Sequence, residues 1–255
     1  VNEGTAVPHT FPQLLERAQQ LLASPGRSIL GITGAPGAGK TTLAEALHHE
    51  LTADGQSARC ALFSMDGFHF ANAVLRARGI RDRKGAVDTF DVEGFVSLLR
   101  AVQDQPGADG PSSIFAPEFD RALDESIGSA IEIRKQTPLI IVEGNYLLHD
   151  ADGWERVATF LTESWFVAPA EALRKERLIN RHETFGLSPE AAEDWALGTD
   201  QRNADLVATT RPRATLVLSI GTIPPILRPP VDDRPTNHEP TGNHPAHHDT
   251  ETSPQ

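Results

Sequence analysis

The stretch that decides the fold is Ser28-Ile29-Leu30-Gly31-Ile32-Thr33, followed without a break by Gly34-Ala35-Pro36-Gly37-Ala38-Gly39-Lys40-Thr41-Thr42. Its first six residues are a short buried-strand run that leads directly into glycine-rich chain. Gly34 to Thr41 fit G-x-x-x-x-G-K-[ST], and Leu43, Leu47 and Leu51 then mark a helix face. Strand, glycine loop and helix together are the context such a loop requires to hold phosphate. The glycines let backbone N–H groups converge on phosphate oxygens, and the helix N-terminus adds the positive end of its dipole. Lys40 would reach the β- and γ-phosphates, and Thr41 would offer its hydroxyl to Mg²⁺. A flexible glycine-rich turn is the competing reading, and the flanking strand and helix weigh against it.

Outward from this stretch, strand and helix signals alternate. Upstream, Thr10 reads as an N-cap with Gln13 at the third helical position, and Leu14, Leu15, Ala18, Leu21 and Leu22 recur at helical spacing. Downstream the sequence predicts a strand over Cys60–Met65, a short helix around 71–78 and a charged loop to Gly85. A helix follows from Asp91 through Val102, then a loop over 104–113, with strand-like pieces near Ile114 and at 130–133. Further on come a strand at Leu139–Val142, a helix over 152–161, a strand at Ser164–Val167 and helices over 169–184 and 189–209. Ser188 would cap the last of these, with Pro189 at its first position, before a final strand at Ala214–Ile220.

Alternating elements with continuous apolar strands imply a three-layer α/β/α domain over residues 1–220, with a mostly parallel sheet covered on both faces. Residues 221–255 hold eight prolines and four histidines with hardly any apolar periodicity, so a disordered tail is expected there. His238, His244, His247 and His248 read as part of that polar tail, with adventitious metal binding as the alternative.

Among 255 residues, 23 Lys and Arg face 35 Asp and Glu, for a net charge of −12. That balance argues against broad nucleic-acid binding. No apolar run approaches the roughly 20 residues of a membrane span. Cys60 stands alone, so no internal disulfide can form, and without a signal-like N-terminus the expected compartment is a reducing cytoplasm. Cys60 itself reads as a small core residue, and Trp154, Trp165 and Trp195 read as core more readily than as ligand platforms.

Further motifs bear on what the phosphate loop is for. Transfer to a hydroxyl needs an acid group near the acceptor and cations over the moving phosphoryl group. Asp66, in Met65-Asp66-Gly67-Phe68-His69, lies at the carboxyl edge of the sheet, where open α/β sheets bind ligands. It is the general-base candidate, with a turn-forming Asp before Gly as the other reading. Glu143 ends the apolar strand and would join Thr41 at the metal; a solvated strand-end carboxylate is the alternative. Arg76, Arg78, Arg81, Arg83 and Lys84 crowd one segment, and Arg174, Arg177 and Arg181 recur along one helix face. Either cluster would serve phosphates or an acceptor's carboxylate, or else form a solvated face with partners such as Glu171 and Glu176. His69 would hydrogen-bond the acceptor or a phosphate, or simply hold its loop.

These residues resemble the phosphoribulokinase, uridine kinase and bacterial pantothenate kinase group of P-loop kinases over roughly residues 27–220. Gly34 to Thr42 resembles the group's Walker A, and Met65 to His69 its catalytic-Asp motif. Arg83-Lys84-Gly85 with Thr89-Phe90-Asp91 resembles the Lys-Gly and Tyr-Asp segment of pantothenate kinases. Pro117-Glu118-Phe119-Asp120 resembles the Pro-x-Tyr-Asp segment of uridine kinases, and Val142-Glu143-Gly144 the group's strand end. The pattern is most similar to a bacterial branch labelled nucleoside/nucleotide kinase-like or fructokinase-like, whose Glu-Gly-Asn-Tyr-Leu-Leu stands here as Glu143 to Leu148.

The resemblance implies Asp66 as base and Lys40, Arg177 and Arg181 as cations on the transferred group. It implies a nucleotide contact from Gly34 through Thr42 and, near the adenine, from Asn203, Arg211 and Arg213. It implies an acceptor site drawn from Asp66, His69, Arg81, Lys84, Phe90, Asp91, Phe119, Asp120 and Tyr146, with Mg²⁺ on Thr41 and Glu143. Phe185-Gly186-Leu187 would be the lid turn. Phe90 and Phe119 stand where the named enzymes carry Tyr, which removes two phenolic donors from the acceptor side. Copies of the chain would be able to pair, with the first helix as a contact. The expected activity is ATP-dependent phosphorylation of a small-molecule hydroxyl, with a sugar or polyol ahead of a nucleoside or pantothenate. The alternative is a P-loop ATPase driven by a protein partner.

Overall fold

The computed structural model describes residues 6–53, 55, 58–184 and 186–224. Phe185, residues 225–255 and the four tail histidines lie outside the described residues. Among the described residues six strands form one sheet: β1 (Val7–His9), β2 (Ser28–Thr33), β3 (Cys60–Ser64), β6 (Leu139–Gly144), β7 (Glu163–Val167) and β8 (Leu216–Ile220). Their order is β1-β8-β7-β2-β6-β3, and every pairing is parallel. The remaining strands, β4 (Ser113–Asp120) and β5 (Glu125–Arg134), form a separate antiparallel hairpin.

Side-chain alternation along the central strands sorts the core into two layers. Leu30, Ile32, Leu139 and Ile141 face α1 (Phe11–Ala23) and α2 (Lys40–Thr52). Ile29, Ile140 and Val142 face α4 (Val92–Asp104) and the turn Trp154–Phe160. Because both faces are covered, all six residues of β2 and of β6 are buried, which is why these strands read as unbroken apolar runs. Each fully buried aliphatic contributes about 1.5–3 kcal/mol. At the start of α1, the Gln13 side chain accepts from the Thr10 amide at 2.9 Å, as the capping pattern predicts. The apolar face of α1, including Leu14, Ala18 and Leu21, is taken up inside this core.

The structure adds one strand to the sequence reading and corrects two of its expectations. β1 pairs in parallel with β8 at the sheet edge, through three residues too few to carry a periodicity. The segment 152–161 is a 3₁₀ turn over Trp154–Phe160, not an α-helix; Trp154, Val157 and Phe160 are buried at a three-residue repeat, the period of that helix. The expected helix over 189–209 is two, α6 (Pro189–Leu197) and α7 (Thr199–Ala208), broken at Gly198, where an added Cβ would lie 2.7 Å from the Asp194 carbonyl oxygen. No helix among the described residues is long and apolar enough to cross a membrane.

Candidate active site

Strand register assembles the site. Thr33 pairs with Gly144 and Ser64 with Glu143, so β2, β6 and β3 end side by side at the carboxyl edge of the sheet. The glycine loop, the Met65–Phe68 turn and Glu143 therefore converge on one cleft of about 530 Å³. The loop's glycines are required by close approach: an added Cβ would sit 2.5 Å from the Val167 carbonyl at Gly34 and 2.7 Å from the Arg174 carbonyl at Gly37. Both have positive φ, as does Gly39, which opens α2. Arg174, from α5 (Glu171–Thr184), is buried and braces the loop from behind. It donates to the Pro36 carbonyl at 3.0 Å, to Gln201 at 2.7 Å and to Glu171 at 2.6 Å.

Lys40 is buried, with Nζ donating to the Ala35 carbonyl at 3.2 Å. Burial lowers its ammonium to about 8, against the opposing pull of Glu143 and Asp66. Glu143 is buried too, and its carboxyl is pushed up, first by burial and then by Asp66, while Lys40 and a hydrogen bond from Ser64 hold it down. The Ser64 hydroxyl also accepts from the Asp66 amide at 3.1 Å, which sets the turn that turns the Asp66 carboxylate into the cleft. Gly67 lets this turn pack on the hairpin, since a Cβ there would meet the Pro117 carbonyl at 2.5 Å.

His69 supports the turn from the other side. Its Nδ1 lies 2.8 Å from the Asp66 carbonyl, and its ring packs on Phe90 and Phe119 at centroid distances of 3.9 and 5.0 Å. Burial lowers its pKa, so it stays neutral, with Nδ1–H donating and Nε2 left as an acceptor. Thr41 and Glu143 line the same cleft and offer hard oxygen donors of the kind Mg²⁺ takes together with phosphate oxygens. Among the described residues, no group of three or more His, Cys, Asp or Glu side chains forms a metal cage made of protein alone. A second cavity of about 280 Å³ flanks the other side of the loop, between Ala35, Ala38, Val167 and Arg211.

A family model described as methylmalonyl Co-A mutase-associated GTPase MeaB matches residues 5–68, the segment that runs from the first helix through the glycine loop to Asp66. The uncharacterized protein YggC of Escherichia coli strain K12 is 34% identical over 195 residues, covering 76% of this chain and 78% of that protein. A pantothenate kinase of Enterococcus faecalis is 32% identical over 154 residues, covering 60% of this chain and 48% of that enzyme. A crystal structure from Silicibacter sp. TM1040, described as a candidate fructose transport system kinase, matches with a TM-score of 0.72 at 36% identity, covering 82% of this chain and 98% of that one. The chain belongs to the phosphoribulokinase/uridine kinase/pantothenate kinase group of P-loop kinases. It is an ATP-dependent phosphotransferase.

Of the residues singled out in the sequence, Lys40, Thr41, Asp66, His69, Glu143 and Arg181 line this one cleft. Arg177 sits over the loop, its Nη1 within 3.5 Å of where a Cβ on Gly39 would stand. Thr42 lies on the exposed first turn of α2. Arg211 lines the smaller cavity.

Other expected contacts lie elsewhere. Asp91 caps α4 by accepting from the Gly94 amide at 2.9 Å, and Asp120 caps the hairpin turn by accepting from Ala122 and Leu123. Tyr146 is buried and donates to the Gly85 carbonyl at 2.7 Å. Asn203 donates to that same carbonyl at 3.3 Å and lines the Asp66 cleft, not the cavity beside Ala35. Arg213 is held by the Leu148 carbonyl and Asp150.

The basic loop is mostly a latch. Lys84 donates to Asn72 at 3.0 Å and to the Asp124 carbonyl at 2.6 Å, Arg81 reaches the Asp124 carboxylate at 2.6 Å, and Arg83 pairs with Asp88. Arg81 and Lys84 still line the cleft, but much of their donor capacity goes to the hairpin tip. Trp195 lines the cleft as well, whereas Trp154 and Trp165 are core. Cys60 is buried, its thiol pushed up to about 12 by burial, as suits a core residue. Arg121 and the His182–Asp200 pair, 2.7 Å apart, also face the cleft; no motif marks them, because their partners come from distant segments.

Proposed function

We propose that this kinase transfers the terminal phosphoryl group of ATP to a hydroxyl of a small metabolite held beside Asp66, with a sugar or polyol preferred over a nucleoside or a pantothenate-like acceptor. The observation that carries this reading is the convergence of Lys40, Asp66 and Glu143, from three parallel strand ends, on one cleft. The triphosphate lies along Gly34 to Thr42, and its base enters the cavity beside Ala35 and Arg211. Asp66 takes the hydroxyl proton as the oxygen bonds to phosphorus and the bond to the departing diphosphate breaks. Lys40 and Arg181 neutralise the charge that gathers on the phosphoryl oxygens, with Arg177 closing from above. Thr41 and Glu143 would hold Mg²⁺, which would supply positive charge to the phosphates. Leu187 and Trp195 line the cleft from the lid side.

The test is acceptor-dependent ADP release with Mg·ATP across sugars, polyols, nucleosides, pantothenate and hydroxy acids, with Asp66→Asn alongside. One class should stimulate the wild type. The variant should bind ATP normally and turn over at least about 10²-fold more slowly. Hydrolysis that is high without any acceptor and indifferent to Asp66 would overturn the reading in favour of a partner-driven ATPase.

A further inference from the structure

The lid side of the cleft holds a pair of side chains that the phosphoryl transfer described above does not use. Arg181 and His182 are neighbours in the last turn of α5, and both line the cleft. Nε2 of His182 lies 2.7 Å from Oδ2 of Asp200, in the first turn of α7. An ionised carboxylate only accepts, so the proton between them sits on Nε2. The Asp200 side chain is 11% exposed, so little water reaches its carboxylate and its charge must be met by protein groups. His182 meets it through this hydrogen bond. Arg181 makes no ion pair of its own among the described residues, and of the carboxylates around it Asp200 attracts it most, ahead of Asp66 and Glu143. Two places therefore compete for its guanidinium, the Asp200 carboxylate and the phosphate side of the cleft.

The backbone of this turn is fixed without the imidazole. The His182 carbonyl accepts from the Leu187 amide at 3.1 Å and the Glu183 carbonyl from the Gly186 amide at 2.9 Å, with Gly186 at φ +95 closing the helix end. Loss of the His182 side chain would leave this helix end in place and strand a buried carboxylate beside a long, flexible cation. A guanidinium forks readily onto a carboxylate, and Asp200 would then hold Arg181 away from the phosphates. We propose that His182 is a positioning residue: by occupying Asp200, it keeps Arg181 turned toward the transferring phosphoryl group. Trp195 flanks the pair, its ring centroid 6.5 Å from that of His182. This role rests on the assignment of Arg181 to the transferred group and adds what keeps the arginine there.

The test compares wild type with His182→Ala, His182→Gln, Asp200→Asn, Arg181→Ala and the double variant His182→Ala/Asp200→Asn. Calorimetry measures the preference for the Mg²⁺ complex of β,γ-imido-ATP over that of ADP, which isolates the terminal phosphate. ADP release with glycerol, fructose, uridine and pantothenate supplies kcat and KM. Arg181→Ala sets the full loss. His182→Ala should lower kcat and the terminal-phosphate preference by about tenfold, a fraction of the roughly 10²–10³-fold that outright loss of such a donor costs, with the acceptor KM unchanged. His182→Gln, whose amide nitrogen reaches about as far as Nε2, should keep most of both. Asp200→Asn and the double variant should stay within about threefold of wild type, because without the charge nothing draws Arg181 aside. A tie that merely holds two helices together would behave in the opposite way, with both single variants impaired alike and the double variant no better. That pattern, or a His182→Ala variant equal to wild type in both measurements, overturns the inference. If the terminal-phosphate preference follows the expected order while no acceptor stimulates turnover, the acceptor assignment falls and the placement of Arg181 stands.

Discussion

At the nucleotide end of the cleft, the groups that would touch phosphate come mainly from one passage of chain, Gly34 to Thr42, with Arg174 bracing it from behind. At the acceptor end they come from the turn after β3, the loop after α3 (Asn72–Ala77), the tip of the β4–β5 hairpin and α7. The first end binds through backbone geometry that three glycines permit, and it is local. The second works through side chains whose positions depend on ion pairs between segments some forty residues apart, such as Arg81 and Asp124. In the proposed assignment, contacts at the hairpin tip can change without disturbing the glycine loop.

The largest effect should come from the nucleotide end. Lys40→Met is expected to lower kcat by about 10²–10³-fold with any acceptor, because a buried cation on the transferring group is lost. ADP release across the acceptor panel measures it, and a loss confined to one acceptor would break the division between the two ends.

A smaller effect belongs to the latch. Asp124 has φ +52, a conformation that asparagine tolerates, so Asp124→Asn removes charge without straining the backbone. The pair with Arg81 is half exposed and worth about 1 kcal/mol. The acceptor KM should therefore rise about three- to tenfold while the ATP KM stays put. Parallel rises in both constants would show the hairpin acting on the whole cleft.

The smallest effect is a pH dependence confined to the nucleotide. Burial lowers the Lys40 ammonium to about 8 in the free protein, and a bound phosphate favours the charged form. ATP affinity should thus be flat below about pH 7 and weaken as the pH rises through 8, with proton uptake on binding above that point. Calorimetry in buffers of different ionisation heat reads this directly, and Lys40→Met should abolish it. Affinity that improves with rising pH would remove Lys40 from the phosphate contact.

Much of this was legible in the sequence where one segment carries both signal and consequence. The Ile29 to Gly39 passage announces strand, loop and helix because buried strands must be apolar and a phosphate cradle must be glycine-rich. Asp66 and Glu143 are legible as charged residues ending strands. The crowd of cations from Arg76 to Lys84 misleads, because their partners Asp124 and Asp88 are set by the fold, and Arg78 lies over the Phe70 ring. Tyr146 and Asp91 have the residue types of a binding site but complete a loop and a helix cap. Arg121 and Trp195 carry no motif and still face the cleft.

By itself, then, the sequence determined the α/β layering, the phosphate loop and the two carboxylates at the sheet edge, since each follows from burial or backbone geometry within a short run of residues. Only the tertiary structure decided which cations face the cleft and which bind other protein groups. A long charged side chain can reach any partner within several ångströms of its backbone, and only the packing of the hairpin, the basic loop and α7 around Asp66 selects one.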